Sequence, residues 1–173
     1  MSRSHERRRH EANVGLEPAA QLKADIQKKL NVSVISYDAS GSHERTVTQM
    51  KDCVLPKQEH GEEQPSVTWI DISGHLSPEM VHPLGEQFDL HPLLLENLLA
   101  PSQRPKIEDY DERVFVVLRM LRYNEKTRQI EDQQASIILG PGWVMTLEDG
   151  AWSVFDGVRS RIENAGGLIR RIG

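Results

Sequence analysis

The stretch that decides the fold is FDLHPLLLENLLAPSQRPKIEDYDERVFVVLRMLRY, residues 88–123 of a 173-residue chain. Five leucines surround Glu96 and Asn97, and the chain then turns through QRPK into an apolar segment. At about 100° per residue the sequence predicts a short helix with one apolar stripe, formed by Leu94, Leu95, Leu98 and Leu99. We therefore expect the leucines to face a core, and Glu96 and Asn97 to face water or a partner.

The segment that follows, RVFVVLRMLRY at 113–123, is apolar on both faces at its start. This pattern is typical of a central strand that is covered on both sides. The segments QASIIL and WVMTL, separated by Gly140-Pro141-Gly142, return and run back. Together they predict an antiparallel meander of three strands.

Upstream, NVSVISYD and HERTVTQM predict a hairpin across Ser40-Gly41-Ser42, and SVTWIDIS predicts a further strand. Ser77-Pro78-Glu79 predicts a helix start, although Pro83 then requires a kink or a later start. A last helix is indicated by the apolar positions Val154, Phe155, Val158 and Ile162, ending near Gly166-Gly167. The order of elements predicts an α/β sandwich with a mixed or antiparallel sheet.

Composition describes one domain with loose ends. Residues 1–20 are expected to form a flexible basic tail, residues 56–66 a linker or long loop, and residues 21–173 a single domain. The net charge of −5 argues against nucleic acid as a partner, and because the first twelve residues carry +2, the rest of the chain carries −7. A lone cysteine, Cys53, excludes an internal disulfide, and no apolar run is long enough to predict a membrane span.

Enzyme chemistry has no support in the sequence. No Gly-rich phosphate loop, HExxH, GxSxG or EF-hand pattern is present. The histidines His75, His82 and His91 never pair at i, i+4, so we expect them in caps and loops. Acidic clusters at 62–63, 108–112, 131–132 and 148–149 fit either solvated strand ends or a surface for hard cations such as Mg²⁺.

The strings TWIDISG and LGEQFDLHPLLLENLLAPSQRPKIEDYDERVFVVLRML, with SIIL and VFDGVRSRIENAGGLIRR, resemble the cytosolic N-terminal domain of the CorA family of divalent-cation transporters. The resemblance runs from Thr68 to Gly173, with a looser match over 31–67. It implies an α/β/α sandwich with a mixed, largely antiparallel sheet. It also implies a homopentamer on the cytoplasmic side of the inner membrane.

In that family a long helix leads to two membrane spans near the C-terminus, and a Gly-Met-Asn signature marks the pore. This chain stops at Gly173, so the resemblance implies a soluble fragment that reaches the membrane only through absent C-terminal spans. The transported and regulatory ion would be Mg²⁺, with Co²⁺, Ni²⁺ or Zn²⁺ as further candidates.

The resemblance also assigns a metal site to LLLENLL. In the family this helix places acidic side chains at the boundary between subunits, where Mg²⁺ bridges them and favours the closed state. Glu96 matches the first acidic position, and Asn97 stands where Asp is common. An amide oxygen can ligate Mg²⁺ but brings no charge, and the partner carboxylates would lie on the following helix.

Two alternatives stay open at this point. A ZntB-like zinc transporter would share the fold, because ion choice is set largely in segments beyond Gly173. A stand-alone soluble metal-binding or scaffolding protein would fit if Gly173 were the natural C-terminus. The coding sequence beyond Gly173 separates these readings.

Overall fold

The structure is a computed structural model that describes residues 30–55, 66–150, 152–165 and 168–172. The expected tail at 1–20, most of the expected linker at 56–66 and the Gly166-Gly167 helix end lie outside these residues. The described part forms one sheet of seven strands: β1 (Asn31–Tyr37), β2 (Ser42–Val47), β3 (Val67–Ser73), β4 (Lys106–Tyr110), β5 (Arg113–Asn124), β6 (Gln129–Gly140) and β7 (Trp143–Glu148).

The strand order is β2-β1-β3-β7-β6-β5-β4, which places β7 at the centre. Strands β3 and β7 are parallel, in register from Thr68 opposite Trp143 to Ser73 opposite Glu148. Every other neighbouring pair is antiparallel. The predicted mixed, largely antiparallel sheet is thus confirmed, as are the β1–β2 hairpin and the meander of β5, β6 and β7.

Helices cover both faces of this sheet, which confirms the α/β/α sandwich. They are α1 (Pro78–Phe88), α2 (Pro92–Leu99), α3 (Asp156–Glu163) and α4 (Ile169–Ile172), with a short 3₁₀ turn at Met50–Asp52. Because side chains alternate along a strand, Val34 and Ile70 enter the larger core with α1 and α2. Their neighbours Ile35 and Trp69 enter a smaller core with α3 and α4.

Helix α1 begins at Pro78, directly after Ser77, so the later start considered because of Pro83 is wrong. The amides of Met80 and Val81 both donate to the Ser77 carbonyl, at 3.0 and 3.2 Å. The helix ends at Phe88, and the left-handed backbone of the next residue, Asp89 (φ 50°), turns the chain toward α2. This turn sets the orientation of α2 on the sheet.

Two predictions about the sheet are wrong. The acidic segment at 108–112 is not only a loop, because its first half belongs to β4, an edge strand that the sequence analysis missed. Strand β5 is next to that edge rather than central, and only Phe115 and Val117 are fully buried. The opposite face of β5 is half-buried, since α3 and α4 pack over β1, β3 and β7 instead.

Candidate metal centre on helix α2

Helix α2 carries both residues that the sequence analysis assigned to a metal. Pro92 occupies its first turn, and the Nδ1 atom of His91 accepts a hydrogen bond from the Leu93 amide at 3.1 Å. A helix start otherwise leaves such amides unpaired, so this cap fixes where α2 begins. The expectation that His91 would serve as a cap is confirmed.

The leucines of α2 are buried unequally. Leu94 is fully buried, and Leu95 and Leu98 pack against the larger core. Leu99, which was predicted to face the core, is 36% exposed, and Leu93 is 55% exposed. The stripe fails at Leu99 because the helix ends there and the chain turns away into the 100–105 loop. Helix α2 therefore packs against the core mainly through Leu94, Leu95 and Leu98.

Glu96 lies on the exposed side of α2, as predicted. Among residues 30–55, 66–150, 152–165 and 168–172, none makes a hydrogen bond or ion pair with its carboxylate. The charge of Glu96 is thus open to solvent, next to a helix segment that the core holds in place.

Asn97 is placed differently from the prediction that it would face water or a partner. It is half-buried, and its amide is engaged within the chain. Its Nδ2 donates to Glu108 Oε2 and to the Tyr110 hydroxyl, both at 3.0 Å, and its Oδ1 accepts from Lys106 Nζ at 2.8 Å. Only this amide orientation offers an acceptor to Lys106 and a donor to Glu108.

The three partners of Asn97 are alternate residues of β4 and so share one face of the strand. Lys106 Nζ is 2.8 Å from Glu108 Oε1, and the Tyr110 hydroxyl donates to Glu108 Oε2 at 2.8 Å. The hydrogen bond from Lys106, followed by that from Tyr110, holds the pKa of Glu108 below its usual 4.5. Burial and the bond to Glu108 raise the pKa of Tyr110. We call Asn97, Lys106, Glu108 and Tyr110 the α2–β4 cluster.

Gln103 closes the C-terminal end of α2. Its Nε2 donates to the carbonyls of Asn97 and Ala100, at 2.6 and 3.3 Å, and its backbone amide donates to Gln134 Oε1 at 2.8 Å. The last carbonyls of a helix lack partners within the helix, and this side chain supplies one. The QRPK segment thus ties α2 to β4 and β6, a role that sequence reasoning missed. The i, i+2, i+4 spacing of Lys106, Glu108 and Tyr110 was the available signal.

His75 and His82, the other two histidines considered in the sequence analysis, lie on the surface. His75 lies in the loop before α1, as expected, with Nδ1 3.0 Å from Asp149 Oδ2. His82 lies on α1 rather than in a cap or loop, with Nδ1 3.8 Å from Glu86 Oε1. Within the described ranges no three His, Cys, Asp or Glu side chains converge as a metal site would require.

The acidic residues beyond β4 are held by polar neighbours. Glu131 accepts from Arg122 at 2.6 Å and from Asn124 at 2.5 Å, and Asp132 pairs with Arg119. The Glu148 carboxylate is buried and accepts from the Val154 amide. Glu131 and Asp132 lie within β6 and Glu148 is a buried residue of β7, so the interpretation as solvated loops at strand ends is wrong for these three residues. Residues 62–63 lie outside the described residues.

No helix in the part of the chain that the structure describes combines the length and hydropathy needed to cross a membrane. The Cys53 thiol is fully buried, and burial raises its pKa to about 11. A thiol with so high a pKa stays protonated at neutral pH, so it is a poor metal ligand.

Comparison with known proteins finds relatives of about twice this length. The cobalt/magnesium transport protein CorA of Thermotoga maritima is 33% identical over 167 residues, which are 96% of this chain and 46% of that protein. The solved structure of the full-length CmaX protein covers 80% of this chain and 40% of its own, with 16% identity and a TM-score of 0.62.

The ZntB cytoplasmic domain from Vibrio parahaemolyticus covers 78% of this chain and 51% of its own, with 16% identity and a TM-score of 0.56. At such low identity, the similarity of this chain to the two structures shows a shared fold alone. A sequence profile described as CorA-like Mg²⁺ transporter protein matches residues 65–172, a range that includes all of α2 and β4. The chain belongs to the family of CorA-like Mg²⁺ transporter proteins, which confirms the resemblance drawn from its sequence.

Proposed function

We propose that this chain is the cytosolic regulatory domain of a CorA-type transporter for Mg²⁺, with Co²⁺ or Ni²⁺ as further cargo, and that Glu96 is its regulatory metal ligand. The Thermotoga relative is named a cobalt/magnesium transport protein, which supports Mg²⁺ and Co²⁺ as the transported ions. The observation that carries the site is the exposed Glu96 carboxylate on a helix that is held by its buried leucines and by the bonds of Asn97 to β4.

The chemistry of α2 favours a hard cation. Mg²⁺ is bound through one or two carboxylates and several waters, and Glu96 offers one such carboxylate to solvent. Zn²⁺ prefers nitrogen and sulfur ligands, and α2 with its cap offers one of them, the Nε2 of His91, because Nδ1 caps the helix and the Cys53 thiol is buried. These contacts support Mg²⁺ over the zinc alternative at this helix.

The regulatory mechanism follows from linkage. In a homopentamer, a cation bound between Glu96 and carboxylates of a neighbouring subunit would stabilise only the arrangement that brings them together. When the cation leaves, the carboxylates repel and the closed state weakens. The pentamer, the gating and the membrane attachment all belong to this proposal, as does placement at the cytoplasmic side of the inner membrane.

The site is tested by Mn²⁺, which accepts the same oxygen ligands as Mg²⁺ and broadens nearby NMR signals. In the 173-residue chain, where the carboxylates of the following helix do not contribute, we expect weak broadening centred on the Glu96 amide at high Mn²⁺ concentration. Glu96→Gln should abolish it, whereas Glu125→Gln, an exposed carboxylate at the tip of the β5–β6 hairpin, should leave it unchanged. Broadening that is equal in both variants would refute the role of Glu96.

The transporter assignment has a separate test, which is the coding sequence that follows the codon of Gly173. A long helix and two membrane spans with a Gly-Met-Asn segment would support it. A stop codon directly after the codon of Gly173 would favour the alternative of a stand-alone metal-binding or scaffolding protein.

A further inference from the structure

The α2–β4 cluster already contains a cation, the ammonium group of Lys106. Its Nζ lies 2.8 Å from Asn97 Oδ1 and 2.8 Å from Glu108 Oε1, and it sits 5.6 Å from the centroid of the Phe115 ring. Amide and carboxylate oxygens are also the ligands that Mg²⁺ prefers. The lysine therefore occupies the place that a hard cation would take between these two oxygens.

A divalent cation and this ammonium cannot share the place at low cost. Mg²⁺ binds oxygen at about 2.1 Å, so a Mg²⁺ on Asn97 Oδ1 would lie within roughly 5 Å of Lys106 Nζ. Like charges at that distance repel. Solvent screens this repulsion only in part, because Asn97 and Lys106 are both half-buried. Binding a metal at Asn97 thus requires the lysine to move away.

We propose that Lys106 is a built-in competitor that withholds Asn97 and Glu108 from divalent cations. It leaves Glu96 as the one exposed oxygen ligand on the described part of α2. This inference rests on the proposed function, because it concerns which oxygens of α2 a regulatory cation can reach. It gives Asn97 a role as a clamp on β4 rather than as a metal ligand, and it makes Lys106 the residue that sets this choice.

The exchange is tested in the full 173-residue chain by titration with MgCl₂, following the side-chain amide signals of Asn97. All variants carry Glu96→Gln, so that the proposed regulatory ligand does not contribute. We expect Lys106→Met to produce a saturable shift of these signals, with Mg²⁺ binding at least tenfold tighter than in the parent. Adding Glu108→Gln should remove the gain, because the carboxylate is then lost.

Two controls isolate the ammonium. Lys126→Met removes the same charge from the exposed tip of the β5–β6 hairpin and should leave Mg²⁺ binding as in the parent. Lys106→Arg keeps a cation and should also behave like the parent. If Lys106→Met perturbs the fold, as its amide spectrum would show, Lys106→Gln replaces it, because an amide can still donate to both oxygens without charge.

The outcomes separate the two ideas. Equal Mg²⁺ binding in the Lys106→Met and Lys126→Met variants, or no response in either, overturns the competition by Lys106. A failure of the proposed function instead appears in chains with Lys106 intact, as Mn²⁺ broadening that Glu96→Gln does not remove. Neither result can be mistaken for the other, since they are read on different signals and in different variants.

Discussion

Two polar networks fasten helices to opposite faces of the same sheet, and they differ in the cation that they use. On the α3 face, Arg159 donates to Asp71 Oδ2 at 2.6 Å and also pairs with Glu44. Thr146 donates to Asp71 Oδ1 at 2.7 Å and accepts from Trp69 Nε1 at 2.8 Å. The α2–β4 cluster uses a lysine instead, with a single carboxylate.

Burial decides what each network can do. Asp71 is only 6% exposed, so its charge depends on the fork of Arg159. The Lys106 and Glu108 side chains are 27% and 35% exposed, so water can replace either partner. A buried pair is costly to break, whereas a half-exposed pair is not. We therefore expect the α3 network to stay intact, whereas a competing cation can disrupt the contacts of the α2–β4 cluster.

The largest effect is expected on the α3 face. Arg159→Met leaves the buried Asp71 carboxylate without its cation and should lower the free energy of unfolding by about 4 kcal/mol. Arg161→Met, on the same helix but with its side chain exposed, should change it by less than about 0.5 kcal/mol. Urea denaturation of both variants measures the difference. Equal losses would mean that the α3 network is no stronger than a surface contact.

The second largest loss of unfolding free energy is expected from the packing of α2 against the core. Leu94→Ala removes a fully buried side chain and is expected to cost about 3 kcal/mol of unfolding free energy. Leu93→Ala, one residue earlier and 55% exposed, is the matched control and should be nearly neutral. Denaturation of the two variants shows whether the core or the cluster holds α2. A neutral Leu94→Ala would assign that task to the cluster.

A smaller effect concerns Mg²⁺. Asn97→Asp adds a carboxylate opposite Glu108 and removes the amide that donated to it, so the cluster gains a net negative charge. With Lys106→Met also present, so that the ammonium does not compete, we expect Mg²⁺ binding to tighten about tenfold, which corresponds to about 1.4 kcal/mol. Isothermal titration calorimetry with MgCl₂, carried out on this variant and on Asn97→Ala in the same background, compares the two Mg²⁺ affinities. Equal affinities would mean that charge at position 97 does not matter.

The smallest effect is on the pH dependence of stability. The folded-state pKa of Glu108 is lowered, so its contribution is complete at neutral pH and is lost as the pH falls below 4.5 through the folded value. Glu108→Gln should therefore flatten the acid limb of the unfolding midpoint slightly. Glu125→Gln should leave that limb unchanged, and a limb that is identical in both variants would contradict the role of Lys106 at Glu108.

Local patterns predicted what depends on local spacing. The strands β1, β3, β5, β6 and β7 and the existence of helix α2 were predicted because their apolar periods lie within one element. Strand β4 was missed because an edge strand with charges on its outer positions looks like a loop. The exposure of Leu99 was missed because a helical stripe says nothing about where the covering element ends.

The candidate site was predicted only where local spacing determines it. Glu96 was placed correctly on the exposed face, since helical phase alone decides it. The contacts of Asn97 were not predicted, because they depend on how α2 lies across β4. The pair Asp71 and Arg159 is 88 residues apart in sequence and carries no period at all. The assignment of Glu96 to a metal remains a prediction.

The central position of β7 also governs the order in which this domain can be completed during synthesis. Strands β2, β1 and β3 form one antiparallel half and β6, β5 and β4 another, and β7 alone joins them. It is the last strand to leave the ribosome, so until Leu147 emerges the nascent chain presents two separate half-sheets with open apolar edges. Because such edges invite pairing with other chains, a ribosome that stalls before Trp143 exposes an aggregation-prone intermediate.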